Sequence, residues 1–173
     1  MRLEDADVYA ARVVRCIENL CSRIQVAGSV RRRRPTVQDI DIVAVPRDLS
    51  IPGTGLRPTG DSTWNGIATR LKVRLNMREI RKGKELITMA FNDVDLQVDV
   101  YRAQPETWGV LLLIRTGSID HNIMMCSHAR RMGMMLSAAR GVIKDGQVIA
   151  SLTEEEIFKA LEMDFVAPQQ REI

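Results

Sequence analysis

Aromatic residues make up only 4% of this 173-residue chain, and histidine occurs twice. A core so short of rings must be built from aliphatic side chains and from methionine, of which there are nine, a residue suited to filling irregular gaps. Cysteine is scarce too. Cys16, Cys21 and Cys126 form no CxxC pair, which excludes a zinc ribbon. An odd count also suits a reducing compartment, so a cytoplasmic location is expected. No apolar run approaches the roughly 20 residues that cross a bilayer. The opening MRLEDADVYA is too acidic for a secretory leader, so no membrane association is expected. Repeats and low-complexity tracts are absent from the sequence.

What the chain does have is charge in blocks. Lysine and arginine number 25 against 22 acidic residues, a formal net charge of +3. Arg31 to Arg34 form one cluster, and a second runs from Arg70 through Lys72, Arg74, Arg78, Arg81 and Lys82 to Lys84. Such blocks fit a polyanionic partner, and they fit a solvated helix face equally well.

Hydrophobic spacing predicts an α/β protein, with length enough for one domain or two small lobes. Residues 5–25 carry a broad apolar face at helical period, and QVAGSV reads as a short strand ending at Gly28-Ser29. DIDIVAV alternates, with Asp39, Asp41, Val43 and Val45 on one face and Ile40, Ile42 and Ala44 on the other. Pro46 to Thr63, rich in Pro and Gly, reads as a mobile loop. WNGIATRLKVRLNM should be a short helix, and MREIR and ELITMAF a hairpin across KGK. NDVDLQVDVY begins a further strand whose polar face carries Asp93, Asp95, Gln97, Asp99 and Tyr101. From about residue 105 the texture changes. Two helices are predicted, PETWGVLLLIRTGS and IDHNIMMCSHARRMGMML. A hairpin turning at Asp145-Gly146 follows. The last helix opens with a Thr153–Glu156 capping box.

Carboxylates inside a strand are costly to bury unless a cation holds them. Asp39 and Asp41 lie about 6.6 Å apart along one strand face. With a third carboxylate from the neighbouring strand, Asp99 or Asp95, they make a donor set suited to magnesium. A turn at Gly28-Ser29 can offer backbone N–H groups and a hydroxyl to phosphate oxygens. The histidines read as packing or surface residues, and the methionines at 124, 125, 132, 134 and 135 as core filler.

Gly28-Ser29, Arg32 and the Asp39-x-Asp41 strand together resemble the nucleotidyltransferase signature. VDVYRAQPETWGVLLLIRTGSIDHN and LTEEEIFKALEMDFVAPQQRE resemble the palm and thumb of the DNA polymerase X family. That resemblance implies a palm with a mixed sheet and flanking helices at residues 1–104 and a small α/β thumb at 105–173. It implies that Asp39, Asp41 and Asp99 coordinate two magnesium ions, with manganese able to substitute, and that Asp99 activates the primer 3′-hydroxyl. Gly28, Ser29 and Arg32 would meet the phosphates of the incoming dNTP, Gly117 its sugar and Asn122 its base edge. The DNA backbone is expected on Arg31, Arg34 and Arg130. The implied enzyme is a monomeric DNA-directed DNA polymerase acting on primer–template or gapped DNA, in the manner of repair. A template-independent terminal nucleotidyltransferase and a non-catalytic nucleic-acid-binding module are the alternatives. Two departures from the family pattern bear on this. Ile114-Arg115 replaces the usual aromatic pair, which predicts weak discrimination between dNTP and rNTP. Cys126 stands where a template-contacting arginine is common. Without N-terminal helix-hairpin-helix domains, no lyase activity is expected.

Overall fold

Two strands that run parallel sit at the middle of the larger sheet, and they carry the acidic motif. β1 (Cys21–Val26) pairs antiparallel with β2 (Asp39–Pro46). β2 pairs parallel with β5 (Gln97–Arg102), and β5 continues antiparallel to β4 (Leu86–Phe91) and β3 (Met77–Lys82). The order is therefore β1-β2-β5-β4-β3, a mixed sheet flanked by helices. The computed structural model describes residues 1–47 and 60–172. Residues 48–59, within the stretch expected to be a mobile loop, lie outside the described residues. Among the described residues no helix is long and apolar enough to cross a membrane.

α1 (Leu3–Ile17) and α3 (Gly60–Leu75) pack on one face of this sheet. Ala6, Ala10, Val13 and Ile17 of α1 meet Ile67 and Leu71 of α3 over Ile40, Ile42 and Val100 of the strands. Glu4 and Asp5 in the first turn of α1 complement its N-terminal dipole. The helix is shorter than expected. It closes at Ile17 in a 3₁₀ turn over Glu18–Leu20, and the chain is already a strand at Cys21. The pairing of β1 with β2 overrides helical periodicity there, because Leu20 and Cys21 can be buried in either conformation. The strand predicted from Asn92 likewise starts late, at Gln97. A turn closed by the bond from the Leu96 N–H to the Val94 carbonyl leaves Asp93 and Asp95 exposed before β5.

The opposite sheet face is covered by α4 (Trp108–Thr116), where Trp108 and Leu112 pack on Ala27, Val43, Val45 and Ala103. α5 (Ile119–Arg131) ends before the predicted Leu136. Gly133, at φ +70°, turns the chain, and Met134–Ser137 become β6. β6 pairs with β7 (Gly141–Lys144), which pairs with β8 (Gln147–Ala150) through the Asp145-Gly146 turn, both residues at positive φ. Met125 fills the core of this lobe and Met124 and Met134 lean on it, whereas Met135 is exposed, contrary to the filler expectation.

α6 (Glu154–Ala160) begins at Thr153, whose hydroxyl accepts the Glu156 N–H, while the Glu156 carboxylate accepts from Leu152. Gly109 lets α4 close on this corner, since a Cβ there would collide with the Thr153 backbone. Glu154 is the electrostatic centre of the lobe. It is 5% exposed and takes Nη1 and Nη2 of Arg31 at 2.9 and 2.6 Å and Nη1 of Arg171 at 2.7 Å. Burial pushes its carboxyl up, but the two guanidiniums more than offset this and hold it below the usual range.

Glu154→Ala leaves two inward guanidiniums without a counter-charge and should cost about 3–5 kcal/mol of stability, read from urea denaturation. His121, fully buried against Phe158, has its pKa lowered to about 4, first by burial and then by Arg171. The unfolded chain binds that proton near the ordinary 6.5, so the contribution is full above that value and is lost as pH falls toward 4. The loss reaches at most about 3 kcal/mol. His121→Phe should flatten that segment of the stability–pH curve; an unchanged slope between pH 4 and 6.5 would refute the assignment.

Candidate active site

The parallel register of β2 and β5 sets Asp41 directly beside Asp99 and Asp39 beside Gln97. Period-2 alternation keeps Asp39 and Asp41 on the face away from Ile40 and Ile42, so three carboxylates share one patch at the foot of α4. The Asp99 Oδ1 accepts the Thr88 hydroxyl at 2.6 Å, from the residue opposite it on β4. Gln97 Nε2 donates to the same carboxylate at 3.3 Å and the Tyr101 hydroxyl at 3.4 Å. Asp95, the other candidate for the third carboxylate, lies in the exposed turn before β5.

Crowding shows in the titration. Burial raises the Asp41 pKa to about 7, with Asp39 and Asp99 adding to the rise and the Tyr101 hydroxyl and Arg115 opposing it. Asp39 is also raised, first by burial and then by Asp99. Tyr101 is pushed up to about 12, mainly by burial and the same carboxylates.

Above the carboxylates lies a cavity of about 670 Å³, within the range of small-molecule sites. Gly28, Ser29, Arg32 and Arg34 line one side, and Ile114, Arg115, Gly117 and Asn122 the other. Gly28 opens α2 (Gly28–Arg31), a single turn, at φ +57°, and a Cβ there would overlap the Asp41 carboxylate. The neighbouring Ser29 hydroxyl is buried without a partner, as is the Asn122 Oδ1. Asn122 spends its amide N–H on the Ile114 carbonyl at 2.8 Å. Gly117, at φ +74°, lies against Arg32.

The arginines divide. Arg32 reaches across the cavity to the Thr116 carbonyl and to Glu172. Arg34, half-exposed, pairs with Glu172 at 3.4 Å. Arg31, expected on DNA, is instead committed inside the molecule to Glu154 and the Thr116 hydroxyl. Its short reach from the α2 turn into the second lobe leaves it 15% exposed. Arg130 is exposed on the last turn of α5, at the end away from Ile119 and Asn122, and is not among the lining residues of the cavity. Cys126 is half-buried against the core of the second lobe.

Sequence reasoning passed over Tyr101, Thr88, Glu154 and Arg171. Tyr101 was within reach, since it lies two residues after Asp99 on the same strand face. Its ring carries the Arg115 guanidinium at 4.0 Å, which a one-dimensional pattern does not show.

The donor chemistry is that of hard cations and phosphates. Among the described residues no three histidine, cysteine or acidic side chains converge into a closed metal cage, and Asp99 is turned toward Thr88. The oxygen donors, the Asp41 carboxyl raised first by burial and then by its acidic neighbours, the orphaned Ser29 hydroxyl and the space that Gly28 keeps nonetheless fit a divalent cation with a phosphate beside it.

The fold is thus an α/β protein with a cavity on its central sheet that sets carboxylates against arginines. Residues 111–172 match the family model of the DNA polymerase beta thumb, which relates that part of the chain to the X family. The match begins within α4 and does not extend to the strands that carry the carboxylates. No curated protein matches the chain.

With no cation added, Asp41 should titrate near pH 7, followed by carboxyl-carbon NMR. Asp99→Asn removes one repelling charge and should bring that value down; a wild-type value near 4 would refute the crowding.

Proposed function

We propose that this protein is a DNA polymerase of the X family, adding dNMP to the 3′-hydroxyl of a primer with release of pyrophosphate. In this reading residues 1–104 form the palm and 105–173 the thumb, and the protein acts as a cytoplasmic monomer on primer–template or gapped DNA. The observation that carries it is the pairing of Asp41 with Asp99 beneath a cavity where the Ser29 hydroxyl has no partner, next to a segment matching the polymerase beta thumb.

Asp39, Asp41 and Asp99 would hold magnesium, or manganese in its place, which supplies charge neutralisation for the attacking and leaving oxygens. Asp99 would also take up the proton of the primer hydroxyl. Ser29 and Arg32 would hold the triphosphate, Arg32 exchanging Glu172 and the Thr116 carbonyl for phosphate oxygens. Asn122, whose Oδ1 has no partner within the protein, would meet the base edge. Transfer of this kind depends on positioning and charge rather than on covalent help from the protein, which suits a site without a histidine.

A second reading has one observation in its favour. Arg31 is bound to Glu154 and Cys126 packs against an apolar core, so neither position offers a free cation to a template strand. A template-independent transferase tolerates that loss better than a copying enzyme.

Primer extension with and without template separates the readings. Template-matched incorporation is expected, and untemplated tailing at equal rate would favour the second. Asp41→Ala and Asp99→Asn should each lower incorporation by about 10³-fold or more, the scale of losing an electrostatic group aimed at the transition state, while Asp95→Asn changes little. Chelation should abolish activity. With Arg115 in place of an aromatic residue, preference for dNTP over rNTP should be weak; a preference of several thousandfold would overturn that.

A further inference from the structure

The proposed reaction leaves unused a groove of about 500 Å³ between α1 and α3, walled by Arg12, Arg15, Arg70 and Arg74. Among the described residues none of these guanidiniums meets a carboxylate. Arg12 lies over the Tyr9 and Phe91 rings, Arg15 donates to the Ala11 carbonyl and Arg70 to Asn19. Like charges gathered without a counter-charge create a potential that a bound anion relieves. The groove lies behind the sheet. α1 and α3 cover the face of Ile40 and Ile42, whereas Asp39 and Asp41 point to the other.

A series of adjoining pockets with shared lining residues leads from the groove round to the carboxylate cavity. Arg70 and Arg74 also line a second cavity that reaches Lys82. Lys82 and Asn65 belong to a third, over the β3–β4 turn, with Lys84. Glu85, Arg102 and Gln104 are shared by that one and a fourth, also lined by Tyr101 and Arg115. Tyr101 and Arg115 in turn line the carboxylate cavity. Along the whole path from the groove to Arg115, Glu85 is the one acidic residue among the described lining residues.

We propose that this path is a binding track for a single strand of nucleic acid. The strand leaves the carboxylate cavity past Tyr101 and Arg115, rounds the β3–β4 hairpin and ends in the α1–α3 groove. The inference rests on the function proposed above only for the kind of polymer held at the carboxylates. A duplex does not fit, because its persistence length of about 150 base pairs forbids a turn around the edge of a small sheet. A single strand bends freely. With few exposed rings along the path, the hold is on phosphates, where arginine makes paired charge-assisted bonds, so binding is independent of sequence and steep in salt.

The test is fluorescence anisotropy with labelled single-stranded oligonucleotides of about 6 and about 24 nucleotides, spanning the site sizes of single-strand binders. Nucleotide is omitted and divalent cation chelated. The double variant Arg70→Ala/Arg74→Ala should bind the longer strand about tenfold more weakly. Its log–log salt slope should fall by about 1.4, near 0.7 for each lost phosphate contact. Arg70→Lys/Arg74→Lys, which keeps the charge, should restore the slope, and thermal melting checks that all variants fold. Parental affinity in the alanine pair would overturn the track and leave the groove to an acidic protein surface. An equal loss for the short and long strands, or for a duplex of the same length, would overturn the single-strand path. Because this assay measures binding alone, an absence of polymerase activity in primer extension would refute the function above and leave this result standing; parental binding by the alanine pair, in a protein that extends primers, would refute the track alone.

Discussion

Everything around the cavity follows from pairing β2 with β5 in parallel. That register forces Asp41 against Asp99, and like charges at that spacing are unfavourable until something divides them. The neighbours are arranged to manage this. Thr88 donates to Asp99 from one side and Tyr101 lies over the pair, with Arg115 stacked on its ring. Asp41 meanwhile has its pKa raised to about 7. A sheet that merely needed stability would carry valines at these positions, as it does at Val43 and Val45 on the same face.

The second constraint ties the larger sheet to the C-terminal helix. α2 carries Ser29 into the cavity and, two residues later, sends Arg31 to Glu154 on α6. One helical turn therefore serves both the phosphate side of the cavity and the buried ion network. Arg171, with its Nε bonded to the Val166 carbonyl and its guanidinium against Phe158 and Phe165, closes that network from the C-terminal segment. A buried ion group of this kind contributes little net stability against an apolar replacement, yet breaking it leaves an uncompensated charge. It fixes geometry more than it adds energy. Arg32, from the same stretch of chain, reaches the Thr116 carbonyl beside the Arg31–Thr116 bond. The mouth of the cavity is thereby linked to the packing of α2 against α4 and α6.

The strands were legible because their signal is local. Alternation over residues 39–45 marks β2 and its two faces, and Asp145-Gly146 marks the second hairpin. The Thr153–Glu156 box marks the start of α6. Boundaries were misread where two conformations bury the same residues. Leu20 and Cys21 satisfy a helix period, yet the β1–β2 ladder claims them. Met134 to Leu136 extend an amphipathic helix on paper, but Gly133 and the pairing with β7 make them a strand. Asp95 shares its alternation with Asp99, and the turn bonds at Phe91 and Leu96 take it out of the sheet.

The sequence by itself determined the alternation of aspartate with aliphatic residues, the glycine ahead of Ser29, and the caps and turns. Each is set by bond geometry within a few residues. Tertiary structure alone decided which carboxylates meet, because register between strands far apart in the chain depends on the whole sheet. It alone turned Arg31 inward, since the Glu154 carboxylate that holds it lies 123 residues away. Charge is visible in a sequence; its partner is chosen by the fold, where desolvation makes a distant carboxylate a stronger claim on a guanidinium than water.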